Sequence, residues 1–431
     1  MFFIPQYIFI LFTTITIDYV AAIWIEKSDN NHKKLYLIIS IISTCMVLFI
    51  FKYFDFFNQN MLYLSEIIGF DYPEKTIKLI LPIGLSFHTF QSLSYVIEVY
   101  KSRYKAEKHF GIYSLYVMFY PQLVTGPIER PQNLLAQLRE QKKFVYSNIS
   151  EGLRLILFGL FIKMVIADNI ATCVDIIYKN PSTYSSFSIF KGLFLYSFQV
   201  YCDFLGYSTI AIGCAKSMGY TLMDNFKNPY FSKNIAEFWQ RWHISLSTWF
   251  RDYVYFSLGG NKVKVHRWIL NILIVFVISG LWHGANWTFI LFGFSHGILY
   301  IIETLFNRHI KIKISNNTVS LFIKTFKVIK TFIIVSFIFV LFRASNILQI
   351  KIIFESIINN FKIVDNFHIE PKIWLLLSLF IIIDILLFNT RFDYWCNKMN
   401  WVLRWTLYSL MIFLIVVFSS VNNFPFIYFR F

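Results

Sequence analysis

Long apolar runs separated by short charged loops recur along nearly the whole chain. Most are near the roughly 20 residues a helix needs to cross about 30 Å of hydrocarbon. The pattern predicts an all-α integral membrane protein: a polytopic bundle of about ten transmembrane helices, with re-entrant and amphipathic interfacial helices, around a central tunnel. Candidate spans are residues 1–27, 35–54, 77–100, 110–126, 151–168, 189–219, 267–283, 285–305, 325–343, 372–389 and 404–421. The first run lacks a basic leading region and exceeds the usual apolar length of a signal peptide, so it reads as a retained span. No repeat and no long polar stretch divides the chain, and residues 1–431 read as a single membrane domain.

Loop charge orients the spans. Lys33 and Lys34, Lys101 to Lys108, Lys262 to Arg267, and the six Lys or Arg from Arg308 to Lys330 should face the cytoplasm. Residues 55–76 and 344–371, which are acidic or nearly balanced, should lie outside. Strict alternation works if 110–126 turns back, and Pro121, Gly126 and Pro127 interrupt that segment. Both termini then lie outside.

Composition sharpens this picture. Only 15% of residues are charged, against 57% apolar and 20% aromatic, and the net charge of +16 sits in loops without a nucleic-acid-binding module. The five cysteines form no close pair and no metal spacing, so no metal site is expected.

Two segments combine apolar runs with chemistry. Residues 234–257 are too polar to cross and place apolar residues from Ile235 to Tyr253 at three- and four-residue spacing. They read as one amphipathic helix on the cytoplasmic side, opened by a capping box of Asn234 and Glu237. His243 falls at the edge of its apolar stripe, pointing partly inward. His283 ends a run that starts beyond Arg267, and fifteen residues of helix advance roughly 22 Å, which sets it deep in the bilayer. Gly280 and Gly284 beside it permit close approach of a helix or substrate. Ionisable groups at such depth are functional candidates.

The segments FYPQLVTGPIER, YSFQVYCDFLGYSTIAIG followed by DNFKNPY, FWQRWHISLSTWFRDYVYFSLGGNK and SGLWHGANWTFILFGFSHG resemble the membrane-bound O-acyltransferase superfamily, in particular its alginate O-acetyltransferase branch. The Leu258–Asn261 turn favours that branch over the related D-alanyl transfer proteins. The chain departs from the branch pattern at Cys202, Leu205 and Thr209. The resemblance implies a bacterial cytoplasmic (inner) membrane enzyme with no bound cofactor. It would move an acyl group, acetyl by preference, from a cytoplasmic thioester such as acetyl-CoA toward hydroxyls of a cell-envelope or secreted polysaccharide. Its expected partners are membrane lipids, the acyl-CoA or acyl-carrier donor, and an extracytoplasmic esterase-like transferase.

His283 is assigned as general base, because a neutral imidazole suits removal of a hydroxyl proton near pH 7. His243 would orient the thioester or assist its carbonyl oxygen. Gln199 and Asp203, four apart, either line the tunnel or hold helices together. Trp282 and Asn286 shape the His283 pocket, and Arg241 and Arg251 meet donor phosphates or lipid headgroups. His88 and His296 read as core histidines. D-alanyl transfer is the nearest alternative. A proton-coupled transporter and a non-catalytic scaffold are the readings from other classes.

Overall fold

The computed structural model describes residues 7–73, 79, 82, 84–123, 126–309, 317–360, 367–419 and 426. Among them every regular element is helical. The chain divides into two compact units, Met1–Phe144 with Gly219–Leu222, and Val145–Met218 with Met223–Phe431.

The first unit contains α1 (Tyr7–Lys27), α2 (Asn30–Leu48), α3 (Phe54–Ile68), α4 (Leu85–Tyr100), α5 (Phe110–Val117), α6 (Tyr120–Leu123) and α7 (Ala136–Leu138). Asp29 caps α2 by accepting the His32 N–H. One buried carboxylate joins the first two helices: Asp18 of α1 accepts from Ser40 Oγ at 2.6 Å and Thr44 Oγ1 at 3.1 Å, both on α2. Apolar surface gives no preferred register between helices in lipid, whereas such bonds do. A π-helical segment, Phe49–Tyr53, joins α2 to α3 in one helical run through Ile68. The polar loop expected from residue 55 is therefore helical for most of its length, and α3 carries Asp55, Asn58, Gln59, Asn60, Ser65 and Glu66 among apolar residues.

The second unit contains α8 (Tyr146–Leu160), α9 (Asp168–Lys179), α10 (Ser186–Ser217), α11 (Ile235–Arg241), α12 (Ile244–Phe250), α13 (Val265–His283), α14 (Trp287–His309), α15 (Asn317–Arg343), α16 (Ile347–Asn359), α17 (Pro371–Leu386), α18 (Phe392–Asn397) and α19 (Trp401–Phe418). Its centre is α10, 32 residues long and buried along most of its length. Glycines seven apart bring α8 against it. A Cβ on Gly159 would lie 2.6 Å from the Gly206 carbonyl oxygen, and one on Gly213 would lie 2.7 Å from that of Gly152. On α13, a Cβ on Gly280 would collide with the Phe289 carbonyl oxygen of α14. The close approach expected at Gly280 is thus filled by the next helix.

Seven helical runs among the described residues are long and apolar enough to cross a membrane: Tyr7–Lys27, Asn30–Ile68, Tyr146–Lys179, Val265–His283, Trp287–Asn307, Leu321–Arg343 and Trp401–Phe418. The chain is a multi-pass membrane protein. Three expected spans fall short of that measure: α4 and α17 have 16 residues each, and α10 carries polar residues such as Gln199, Asp203 and Thr209. The segment expected to turn back contains the short helices α5 and α6, and its residues 124 and 125 lie outside the described set.

A Cβ at Gly159 would meet the Gly206 carbonyl oxygen and the Ile210 side chain, both at 2.6 Å, and the Ile210 backbone nitrogen at 3.0 Å, so Gly159→Ala must force α8 and α10 apart. The expected cost is about 1–3 kcal/mol, as for other overpacked sites. Thermal unfolding of purified protein in detergent checks this; an unchanged midpoint would show that the glycine contact does not limit packing.

Candidate active site

Residues 234–257 do not form the single helix expected. The chain is helical over α11, leaves that geometry at Trp242 and His243, and resumes as α12, followed by a π-helical segment, Arg251–Tyr255. His243 adopts φ 43°, ψ 54°, the left-handed conformation that costs a non-glycine residue on the order of 1 kcal/mol or more. Hydrogen bonds from a distant segment hold the break. The Ile244 N–H donates to the Asn225 carbonyl at 2.9 Å, and the Lys227 N–H donates to the Arg241 carbonyl at 2.9 Å. Residues 225–227 therefore supply partners that an unbroken helix would have supplied to itself.

The Asn234 cap is present, but the reciprocal bond of the expected capping box falls one residue earlier, on Lys233 rather than on Asn234 itself. Asn234 Oδ1 accepts the Glu237 N–H at 2.8 Å, while Glu237 Oε2 reaches back to the Lys233 N–H at 2.9 Å. Glu303 on α14 accepts the Ile235 N–H at 2.7 Å and pairs with Lys330 of α15. The start of α11 is thereby anchored to two long helices.

The break turns His243 fully inward, with no exposed surface, rather than along the stripe edge. Its ring lies edge-on to Phe204 of α10, with centroids 4.7 Å apart, and 6.1 Å from Trp282 of α13. Its Nδ1 is 3.0 Å from Asn225 Oδ1, and its Nε2 is buried without a hydrogen-bond partner among the described residues. Burial pushes the imidazole down to about 3, so it is neutral at ordinary pH.

His283 is the last residue of α13 and is 3% exposed. Its ring centroid lies 5.0 Å from Trp282, 5.2 Å from Phe342 of α15 and 6.0 Å from Phe292 of α14. Trp282 thus neighbours both expected histidines. A third, His296 on α14, lies 4.8 Å from Phe292 and accepts a hydrogen bond from Trp239 Nε1 at 3.3 Å, pinning α11 to α14. His88 belongs to the first unit and lies 3.4 Å from Thr14 Oγ1.

The remaining expected residues divide. Asp203 is buried and accepts from Lys163 Nζ at 2.5 Å, and the same ammonium reaches Asp168 at 2.6 Å. Of its two expected roles, this geometry matches the one that holds helices together. Gln199 is buried one turn away, and its Oε1 has no hydrogen-bond partner among the described residues. Asn286 accepts the Thr288 N–H at 3.0 Å and donates to the Ser345 carbonyl at 2.8 Å, so its amide ties the α13–α14 turn to the segment after α15. Arg241 pairs with Glu237 at 3.1 Å and donates to the Lys227 carbonyl, while the more exposed Arg251 pairs with its neighbour Asp252 at 2.8 Å.

A cavity of about 110 Å³ opens in this unit, lined by Tyr201, Asn225, Lys227, Asn228, Asp384 and Arg391 among others. Its polar wall is ordered: Asp384 accepts from Asn228 Nδ2 at 2.8 Å and from Tyr201 at 3.1 Å. Asn225, which the sequence analysis did not single out, both lines this cavity and touches His243. Among the described residues, no group of three or more His, Cys, Asp or Glu is placed to hold a metal ion.

Residues 108–344 match the family model of the membrane-bound O-acyltransferases, a stretch that contains every one of these site residues except Asp384, Arg391 and His88. The chain belongs to this family. It is 35% identical over 331 residues to a peptidoglycan O-acetyltransferase of Helicobacter pylori, an alignment covering 70% of this chain and 62% of that protein. It is 36% identical over 314 residues to a probable alginate O-acetylase of Pseudomonas aeruginosa, covering 72% and 58%. A teichoic acid D-alanyltransferase of Bacillus subtilis is 30% identical over 240 residues, covering 52% and 60%. The chain thus aligns with about three fifths of the length of these relatives.

Proposed function

We propose that this protein is a membrane O-acyltransferase that carries an acyl group, acetyl by preference, from a cytoplasmic thioester to hydroxyls of a cell-envelope or secreted polysaccharide. The observation that carries the reading is the pair of buried histidines His243 and His283, both neighbours of Trp282. A transporter reading has no comparable support, since the relatives are named as transferases.

In the proposed reaction, His283 takes the proton of the acceptor hydroxyl as its oxygen attacks the thioester carbonyl carbon. The tetrahedral adduct then expels the thiolate, breaking the C–S bond. The imidazolium returns the proton to sulfur, leaving an ester and a free thiol. Its position suits the base role, because the dipole of a helix favours a positive charge at its C-terminus. His243 acts on the thioester. Gln199 lies along the path, Arg241 and Arg251 lie on the donor side, and the cavity beside Asn225 is a route by which a thioester arm approaches. No bound cofactor takes part, and the donor is acetyl-CoA or another acyl thioester.

The same reading places the chain in the bacterial inner membrane, with about ten crossings, a re-entrant segment at 110–126, both termini outside and a central tunnel within one catalytic domain. Membrane lipids surround it, and an extracytoplasmic esterase-like transferase presents the polymer. The longest loop expected outside, residues 344–371, which includes α16, is far below the about 50 residues of an independent carbohydrate-binding domain.

His283→Ala and His283→Gln should lower acyl transfer by about 100- to 10,000-fold, the range for loss of a general base, with the protein still inserted. His243→Ala should also impair transfer, less completely. Release of free thiol from acetyl-CoA in membranes, normalised to protein amount, measures both, and near-normal rates in a well-expressed His283 variant would remove it from the reaction. In reconstituted vesicles, the protein alone should hydrolyse thioester slowly or acetylate only small hydroxyl acceptors. Efficient acetylation of intact polymer by the purified chain would overturn the partner requirement.

A further inference from the structure

We infer that Asn225 is a positioning residue that locks His243 in one tautomer, with the proton on Nδ1 and the lone pair of Nε2 facing the reaction space. The inference rests on the reading that His243 takes part in acyl transfer, and it decides which part it takes.

The Ser245 backbone N–H can only donate, and it points at Asn225 Oδ1 from 3.3 Å. That contact sets the amide with oxygen, not nitrogen, toward α12. Ser245 Oγ donates to the same oxygen at 2.9 Å, strengthening the assignment. An amide oxygen only accepts, so the His243 nitrogen 3.0 Å away must carry a hydrogen. The ring is neutral, which leaves Nε2 unprotonated. Ser245 Oγ also lies 3.5 Å from Nδ1, but its hydrogen is better placed on Asn225, since donation to Nδ1 would set a lone pair against Oδ1.

The backbone makes the lock rigid. Asn225 accepts from the Ile244 N–H through its own carbonyl, so one residue holds both the left-handed turn at His243 and the ring that the turn displays. No charged group among the recorded contacts of His243 competes. Across the ring α10 presents Phe204, α13 presents Trp282 and α12 presents Ser245. The charged neighbours along the chain are engaged elsewhere, Asp203 by Lys163, Asp224 by Arg391 and Arg241 by Glu237.

The chemical consequence is directional. A neutral imidazole with its lone pair at Nε2 accepts a hydrogen bond there and cannot donate one to a developing oxyanion. His243 therefore receives an N–H or O–H of the bound substrate, an amide of the donor arm or the acceptor hydroxyl, rather than stabilising the thioester carbonyl oxygen. The unpartnered Asn225 Nδ2, also buried, remains as a donor on the same residue.

Asn225→Asp tests the lock. A carboxylate against Nδ1 favours the imidazolium, which puts a proton on Nε2 and removes the acceptor. Thiol release from acetyl-CoA should fall at least tenfold near pH 6 relative to the unmodified protein and recover progressively toward pH 9, as the raised imidazole pKa is passed. A constant ratio between the two proteins across that range would assign Asn225 a purely structural role and overturn the inference. Where the variant does not accumulate, the unmodified protein answers directly. ¹⁵N spectra of histidine-labelled protein in vesicles, compared with His243→Gln, should show the lost ring with protonated Nδ1 and bare Nε2; the opposite tautomer overturns the inference. Full activity of His243→Gln would instead defeat the catalytic reading while leaving the tautomer result intact.

Discussion

The cost of holding charge in an apolar interior governs the second unit. An ion moved from water into such surroundings loses several kcal/mol of solvation that only close partners restore. The unit meets this constraint in two ways. Where charge is kept, it is compensated on the spot: Lys163 lies between Asp168 and Asp203, and Asp393 receives both Arg391 and Lys216. Where no ion can be matched, the group is neutral. His243 sits among Phe204, Trp282 and an amide, and its proton inventory is fixed by hydrogen bonds instead of by charge.

Helix spacing and the local break then serve the same end. The glycine contacts between α8 and α10 and between α13 and α14 bring backbones together, so the aromatic layer around the histidines packs between elements that cannot drift. The left-handed backbone at His243 costs on the order of 1 kcal/mol or more and persists because Asn225 and Lys227 bond to either side of it. In an unbroken helix residue 243 would have stayed at the edge of the stripe. The break converts a residue at a surface boundary into a wholly buried one.

This also explains what the sequence did and did not disclose. Membrane helices and the Asn234–Glu237 cap are written in local patterns, apolar run length and a three-residue spacing, and both are present. The interruption at Trp242–His243 is not local: apolar periodicity runs straight through it, and the bonds that impose it come from Asn225, 18 residues away. Asp203 was ambiguous for the same reason, because its partner Lys163 is 40 residues distant. Asn286 was placed near His283 by adjacency alone, yet its side chain turns to Thr288 and Ser345. Positions close in sequence were legible; side-chain partners chosen by tertiary packing were not.

The relatives transfer either acetyl or D-alanyl groups by name, and the setting of His283 bears on that difference. A D-alanyl thioester brings an ammonium with it, and burying that ion needs a carboxylate or an equivalent set of acceptors. The rings recorded around His283 are Trp282, Phe292 and Phe342, which offer apolar surface to an acyl chain. Among the described residues the buried carboxylates of the same unit are already committed, Asp168 and Asp203 to Lys163, Asp384 to Asn228 and Tyr201, and Asp393 to Arg391 and Lys216. An acetyl group asks for no counter-ion and loses little on leaving water. On electrostatic grounds an uncharged acyl group suits this interior better than one that carries an ammonium.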